Sequence, residues 1–198
     1  YEVMNQHVSF LFTSLLTDDC IARGKALLDG GVRYLGGTNE TYGNINTSDS
    51  LWVIRDLVFN QKKYTLRQLN DAMLANFNGY EALRKDCLNC DKYGNDLETA
   101  DTMANDLYEF VAKGVRDRGI AIGMQYFLIV ISNNQLNTEW GNRTAASPDG
   151  RLSCMYMNPA NNPQGGANKS GPTAMLNSLA KFDAKYHGGS VQNIKFSP

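Results

Sequence analysis

Four cysteines are the residues best suited to nucleophilic, redox or metal chemistry: Cys20, Cys87, Cys90 and Cys154. Cys87-Leu88-Asn89-Cys90 has the two-residue spacing of a zinc knuckle or a dithiol redox motif. A structural zinc site needs a second ligand pair, and His7 and His187 are isolated and distant in sequence. A thioredoxin-like pair would follow a strand, whereas this one closes a helical pattern. Cys87 and Cys90 are therefore expected to be ordinary thiols, against the competing reading of a zinc or redox protein. Cys20 follows Asp18 and Asp19, whose charge works against a thiolate nucleophile, and Cys154 has no base beside it in sequence. Asp18-Asp19, Glu98 and Asp101 could be an acid/base pair or metal ligands, but helix N-termini and solvated faces account for them more simply. The glycine pairs at 30-31, 36-37 and 165-166 lie in no Walker loop or dinucleotide fingerprint. No catalytic residue, metal site or cofactor site is expected from these residue types alone.

The elements that would position such groups are mainly helical at first. Apolar residues at helical spacing from Phe10 to Leu28 predict a helix or a broken pair stopped by Gly30-Gly31. Tyr34 to Ser48 reads as loop, with Ser48 or Asp49 capping a helix through Phe59. Thr65 caps the next helix with Gln68 in the capping-box position, and Gly79 ends it. Glu81 to Leu88 and Leu97 to Arg116 are two more helices. Then the pattern changes. Met124 to Ser132 is β-branched and aromatic and predicts a strand; Asn133 to Asn142 reads as polar loop. Pro148-Asp149-Gly150 is a turn, Asn158 to Gly171 is loop, Pro172 starts a helix to about Lys181, and Ser190 to Phe196 alternates like a strand. The helical part is thus about 1–118 and the strand and loop part about 119–198. Two strands cannot make a stable sheet without partners, so the expectation is an internal piece of a larger α/β domain.

With 198 residues, 42% hydrophobic and 20% charged, and a net charge of −1, the chain has the composition of one soluble domain. It carries no field strong enough to attract nucleic acid or an anionic membrane surface. The longest apolar run, Ile120 to Ile131, is shorter than the ~20 residues that span a bilayer. With no basic segment leading into an apolar one at the N-terminus, and cysteines lacking a disulfide-scaffold spacing, a cytoplasmic setting is expected.

Seven segments, taken in order, resemble one family. They are Asp18-Asp19-Cys20-Ile21-Ala22-Arg23-Gly24 leading to Gly30-Gly31; Asp49-Ser50-Leu51 with Leu57-Val58-Phe59; and Asn76-Phe77-Asn78-Gly79-Tyr80-Glu81-Ala82-Leu83-Arg84. Lys92-Tyr93-Gly94-Asn95-Asp96, Ser147-Pro148-Asp149-Gly150-Arg151, Ser170-Gly171-Pro172-Thr173-Ala174 and Asn193-Ile194-Lys195-Phe196 complete the set. Together the chain resembles the pyruvate formate-lyase domain of glycyl radical enzymes. That resemblance implies an α/β fold: a mainly helical segment plus strands of a ten-stranded α/β barrel, here incomplete. In the family a glycine stores a radical that passes to a cysteine, whose thiyl form abstracts hydrogen from substrate. Their usual contexts, Gly-Cys-x-Glu and Arg-Val-x-Gly, occur nowhere in this sequence, and Cys20 matches a different element.

The resemblance implies a parent enzyme that cleaves C–C, C–O or C–N bonds of a small metabolite, as a formate acetyltransferase-like enzyme, dehydratase or lyase. Its glycyl radical would be installed by an S-adenosylmethionine/iron–sulfur activating enzyme, and nothing of that cofactor would be bound by this segment. The partners implied are the small-molecule substrate, the activating enzyme, the remainder of the same polypeptide and a second copy in a homodimer. A non-catalytic assembly or binding module derived from the same fold is the alternative. Barrel interiors are lined by alternate residues of each strand. The expected substrate pocket therefore lies at the end of the Met124 to Ser132 strand and along the Ser190 to Phe196 strand, with Asn133, Asn137, Glu139, Asn193 and Lys195 as its candidates.

Overall fold

A computed structural model of the chain describes residues 2–8, 10–123, 126–131 and 134–194, and of 38, 126–131, 134–135 and 186–190 the backbone alone. Two compact units partition the residues: 1–39 with 113–128, and 40–112 with 129–198.

In the first unit α1 (Glu2–His7) comes first, and the apolar run from Phe10 breaks into α2 Leu11–Leu16 and α3 Cys20–Arg23. Ser14 explains part of the break. Its hydroxyl donates to the Phe10 carbonyl at 2.7 Å and accepts the Leu27 N–H at 2.9 Å, so it joins the end of one turn to the loop after another. Cys20 is buried beneath Gly31, where any Cβ would meet the Lys25 carbonyl and lie 2.8 Å from the Cys20 sulfur. Leu11, Phe12, Leu15, Leu16 and Ile21 are exposed.

The second unit holds the larger core. Helix α4 (Asn44–Val53) runs into a π-helical turn (Ile54–Asn60); α5 (Leu66–Leu74) and α6 (Glu81–Asn89) follow. Val53, Leu57, Leu69, Ala72, Leu83 and Cys87 from these elements, with Phe77 from the turn between α5 and α6, form one buried cluster. The predicted capping box is present: Thr65 accepts the Gln68 N–H at 3.1 Å, and the Gln68 side chain accepts the Thr65 N–H at 2.9 Å. Helix α7 runs Glu98–Ala121, longer than the Leu97 to Arg116 expected. Its Asp101 accepts from Ser178 (2.9 Å) and Lys181 (2.7 Å), pinning helix α9 (Gly171–Ala180) and the residue after it to α7. Tyr93 and Tyr108 pack on Phe182 with ring centroids 5.4 and 5.3 Å away.

Four sequence expectations are corrected. Gly36–Glu40, expected as loop, is strand β1; its two glycines, Asn39 and Glu40 have little intrinsic pull to a strand, and pairing decides. The next helix starts at Asn44, after Gly43 in the left-handed region, so Ser48 and Asp49 lie inside it and cap nothing. Asn134–Asn142, expected as loop, is helix α8; its polar residues hid an apolar side that includes Leu136. The last strand, expected at Ser190 to Phe196, is His187–Ser190. Beyond it the Asn162 side chain takes the ladder's place, accepting the Asn193 N–H at 3.0 Å and donating to the Asn193 carbonyl at 2.8 Å. The strand expected at Met124 to Ser132 is β2, Tyr126–Ile131, and with β3 (His187–Ser190) the sheet order is β1-β2-β3. β2 and β3 are parallel, with Ile131 opposite Ser190. Among the described residues no helix is long and apolar enough to cross a membrane.

Candidate functional site

Asn46, Asp49 and Ser50 share one face of α4 because residues three and four apart stack along a helix. All three reach segments about a hundred residues later or, for Asp49, the Tyr93 backbone. The Asn46 N–H donates to Asn158 Oδ1 at 3.2 Å and the Asn158 N–H donates to Asn46 Oδ1 at 2.7 Å, a reciprocal pair. Asn46 Nδ2 donates to Asp149 Oδ2 (2.7 Å) and Gln164 Oε1 (2.9 Å). Ser50 Oγ accepts the Asp149 N–H at 3.2 Å.

The Pro148-Asp149-Gly150 turn is thereby locked from several sides. Asp149 Oδ1 accepts from Ser147 Oγ at 2.5 Å and from the Arg151 N–H at 3.2 Å. The buried Arg151 guanidinium donates to Ser147 Oγ and to the carbonyls of Ala145, Leu152 and Met155. Arg84 Nε donates to the Gly150 carbonyl at 2.9 Å. Gly150 has φ +94° and a Cβ there would lie 2.7 Å from Leu88, so only glycine serves. These bonds account for Asp149 and Arg151 as holders of a turn.

Next to this turn lies a cavity of about 530 Å³ whose lining includes Asp49, Arg84, Lys85, Lys92, Arg151 and Lys169. Asp49 accepts the Tyr93 N–H at 2.9 Å through Oδ1, while its buried Oδ2 has no partner among the described residues. Burial pushes this carboxyl from 3.8 up to about 8; the Tyr93 N–H and nearby Lys92 oppose the shift, and Asp149 and Asp101 add to it. Burial thus favours the protonated form of Asp49, which can donate a hydrogen bond. Lys92, also buried, spends its ammonium on the carbonyls of Cys87 (2.5 Å) and Cys90 (3.2 Å). Sequence reading missed Asp49 by treating it as a cap; the signal was an acid inside the apolar period of a helix.

The cysteine pair is not poised for redox or nucleophilic work. Burial pushes the Cys87 thiol up to about 12 and the Cys90 thiol up to about 11, the opposite of what a reactive thiolate requires. Cys90 Sγ lies 3.4 Å from the Asp86 carbonyl, as a weak donor.

The five sequence candidates fare differently. Asn133 and Lys195 lie outside the described residues. Asn137 is buried in α8, with its carbonyl accepting the Met157 N–H at 3.2 Å and its Nδ2 unpartnered among the described residues. Glu139 is exposed on the same helix and pairs with Arg143 at 3.0 Å. Asn193 is exposed, its backbone held by Asn162. Gln192, beside the candidate Asn193, has both amide atoms buried and without partners among the described residues. The structure thus puts Asn137 and Gln192 after the carboxyl ends of two neighbouring strands.

The sequence profile of a family described as pyruvate formate lyase-like matches residues 1–136. The trans-4-hydroxy-L-proline dehydratase of Clostridioides difficile is 33% identical over 194 residues, 98% of this chain and 24% of its own length. A crystal structure of hydroxyproline dehydratase from Clostridioides difficile, with trans-4-hydroxy-L-proline bound, superposes with a TM-score of 0.90 at 32% identity, over 96% of this chain and 24% of that one. The glycerol-bound B12-independent glycerol dehydratase of Clostridium butyricum superposes with a TM-score of 0.86 at 30% identity, over 92% and 23%. The chain thus spans about a quarter of the length of the relatives it matches.

Proposed function

Because the chain belongs to the pyruvate formate lyase-like family of glycyl radical enzymes, we propose that it forms part of an enzyme that removes or cleaves a group from a small metabolite by radical chemistry. The observation that carries this reading is the agreement of nearly the whole chain with the hydroxyproline dehydratase structure, TM-score 0.90 over 96% of its residues. Relatives named as dehydratases favour C–O cleavage within the broader set of C–C, C–O and C–N reactions.

The division of labour follows from the residues present. Neither a Gly-Cys-x-Glu nor an Arg-Val-x-Gly string occurs in the 198 residues, so the thiyl donor and the radical store belong to the rest of the polypeptide. This segment supplies positioning: a locked turn, and polar groups after the ends of β2 and β3. In such chemistry the protein's task is to orient the reacting atoms and keep water away. Asn133, Asn137, Glu139, Asn193 and Lys195 are the substrate-pocket candidates we carry forward. The exposed Leu11, Phe12, Leu15, Leu16 and Ile21 support further polypeptide as the partner covering the first unit. The setting is cytoplasmic, the activator is an S-adenosylmethionine/iron–sulfur enzyme, and the intact enzyme is a homodimer.

The test is turnover. The protein expressed from its complete reading frame, activated without oxygen, should convert a hydroxylated substrate from a panel of diols and hydroxy amino acids, while the 198-residue chain alone converts none. Turnover by this chain alone, or a mature protein no longer than it, would overturn the reading and favour a different catalyst or a non-catalytic module.

A further inference from the structure

We infer that the cavity beside the Pro148-Asp149-Gly150 turn is a binding site for the phosphate group of a small phosphate ester, held by Arg84, Lys85 and Lys169. Such a site goes beyond the radical chemistry above and does not depend on it.

The cavity lies wholly within the second unit, and its 530 Å³ is the size of a small-molecule pocket. Helix α6 forms one wall, because Glu81, Arg84, Lys85 and Leu88, three and four residues apart, share a face. The Asp149-Gly150-Arg151 turn forms another, and α6 is seated on it. Arg84 Nε donates to the Gly150 carbonyl at 2.9 Å, and Leu88 fills the space where a Gly150 Cβ would stand. A third wall is the turn at 164–167, closed by the Ala167 N–H donating to the Gln164 carbonyl at 2.9 Å. Gln164 Oε1 ties that turn to α4 by accepting from Asn46 at 2.9 Å. Lys169 follows, its N–H held by Asn95 Oδ1 at 2.7 Å. The walls are therefore fixed without a ligand.

Five cationic side chains line this space against three carboxyls, and the carboxyls are already engaged. Asp149 accepts from Ser147, Asn46 and the Arg151 N–H inside its turn, and Glu81 accepts the Gly79 N–H at 2.9 Å where its helix starts. Asp49 is 1% exposed at the wall, its Oδ2 unpartnered among the described residues, and burial favours its protonated form. It therefore cancels little of the positive charge. Lys92 and Arg151 give their N–H groups to neutral oxygens, so their charge stands as well. The terminal nitrogens of Arg84 and the ammonium groups of Lys85 and Lys169 make no hydrogen bond or ion pair among the described residues. Water can solvate these groups but leaves the surplus charge uncompensated, and a cleft lined by one sign of charge draws in the other. A guanidinium with two lysines suits the three oxygens and double charge of a phosphate better than a carboxylate. Leu88 and Met155, 41% and 37% exposed, add apolar surface that a bare ion would not use. The occupant is therefore an ester.

The experiment measures binding without turnover. The unactivated protein from its complete reading frame is titrated calorimetrically, at physiological salt, with adenosine 5′-monophosphate, ribose 5-phosphate and inorganic phosphate. Adenosine, ribose and succinate serve as controls. The variant that decides is Lys85→Gln with Lys169→Gln, because those two ammonium groups hold nothing in the fold; Arg84→Gln, which also breaks the bond to the turn, is its companion. The expected result is saturable binding of at least one ester, tighter than inorganic phosphate and than the same molecule without its phosphate. In the double variant that binding should weaken roughly tenfold or more while the melting temperature of the ligand-free protein is kept. Binding undiminished in the double variant, an ester no tighter than inorganic phosphate, or succinate bound as tightly as an ester would each overturn the inference. So would no binding of either ester, the outcome if an acidic side chain from the rest of the polypeptide fills the cavity.

Discussion

Asp49 ties the stability of the second unit to pH. Its carboxyl is held near 8 in the fold against 3.8 ordinarily, so the folded state binds a proton that the unfolded chain has released above about pH 4. The stabilisation of the protonated form is fully present below pH 4 and is lost as the pH rises through about 8. Stability of the chain should thus decline from pH 5 to pH 9, and Asp49→Asn, which keeps a neutral side chain of the same shape, should flatten that decline. Chemical denaturation of both proteins at pH 5, 7 and 9 checks it; parallel curves would mean that Asp49 ionises freely. The thiols give a second residue-scale expectation. With Cys87 and Cys90 raised to about 12 and 11, little thiolate exists at pH 8, and iodoacetamide should label the exposed Cys154 well before either of them. Mass mapping of labelled peptides reads this directly, and early loss of free Cys87 would reopen a redox role.

At the scale of elements, two changes should be felt through backbone geometry. Thr65→Ala removes one half of the capping box on α5 and should cost about 1 kcal/mol of stability. Gly141→Ala would force α8 off the Met155–Met157 backbone and should cost more than the cap. Urea unfolding measures both; a harmless Gly141→Ala would mean that α8 is not seated as described. The sequence made α5, α6, α7 and α9 legible because their information is local: apolar period, Thr65 with Gln68, Pro172 at a helix start. What it hid depends on partners distant in the chain. Gly36–Glu40 becomes a strand only through its place beside β2. Asp49 looked like a cap because its reason for being in a helix is the Tyr93 N–H, 44 residues on. The final strand was placed too late because Ser190 to Phe196 alternates although the strand ends at Ser190, and past it the Asn193 backbone is held by the distant Asn162. Asn137 was found as a candidate by its position after a strand, though the helix carrying it was read as loop.

For the molecule as a whole, one unit holds a large core with a braced turn and the other short helices with exposed apolar side chains. The chain matches about a quarter of each relative and contains neither of the strings that would carry the thiyl cysteine or the radical glycine. We propose that the intact protein works through a glycyl radical held outside these residues. Electron paramagnetic resonance tests it most directly. After anaerobic treatment with its S-adenosylmethionine-dependent activating enzyme, the protein from the complete reading frame should give a glycine-centred doublet that oxygen destroys, and the 198-residue chain treated alike should give none. A silent spectrum from the folded, treated full protein, or an organic radical on this chain alone, would contradict it.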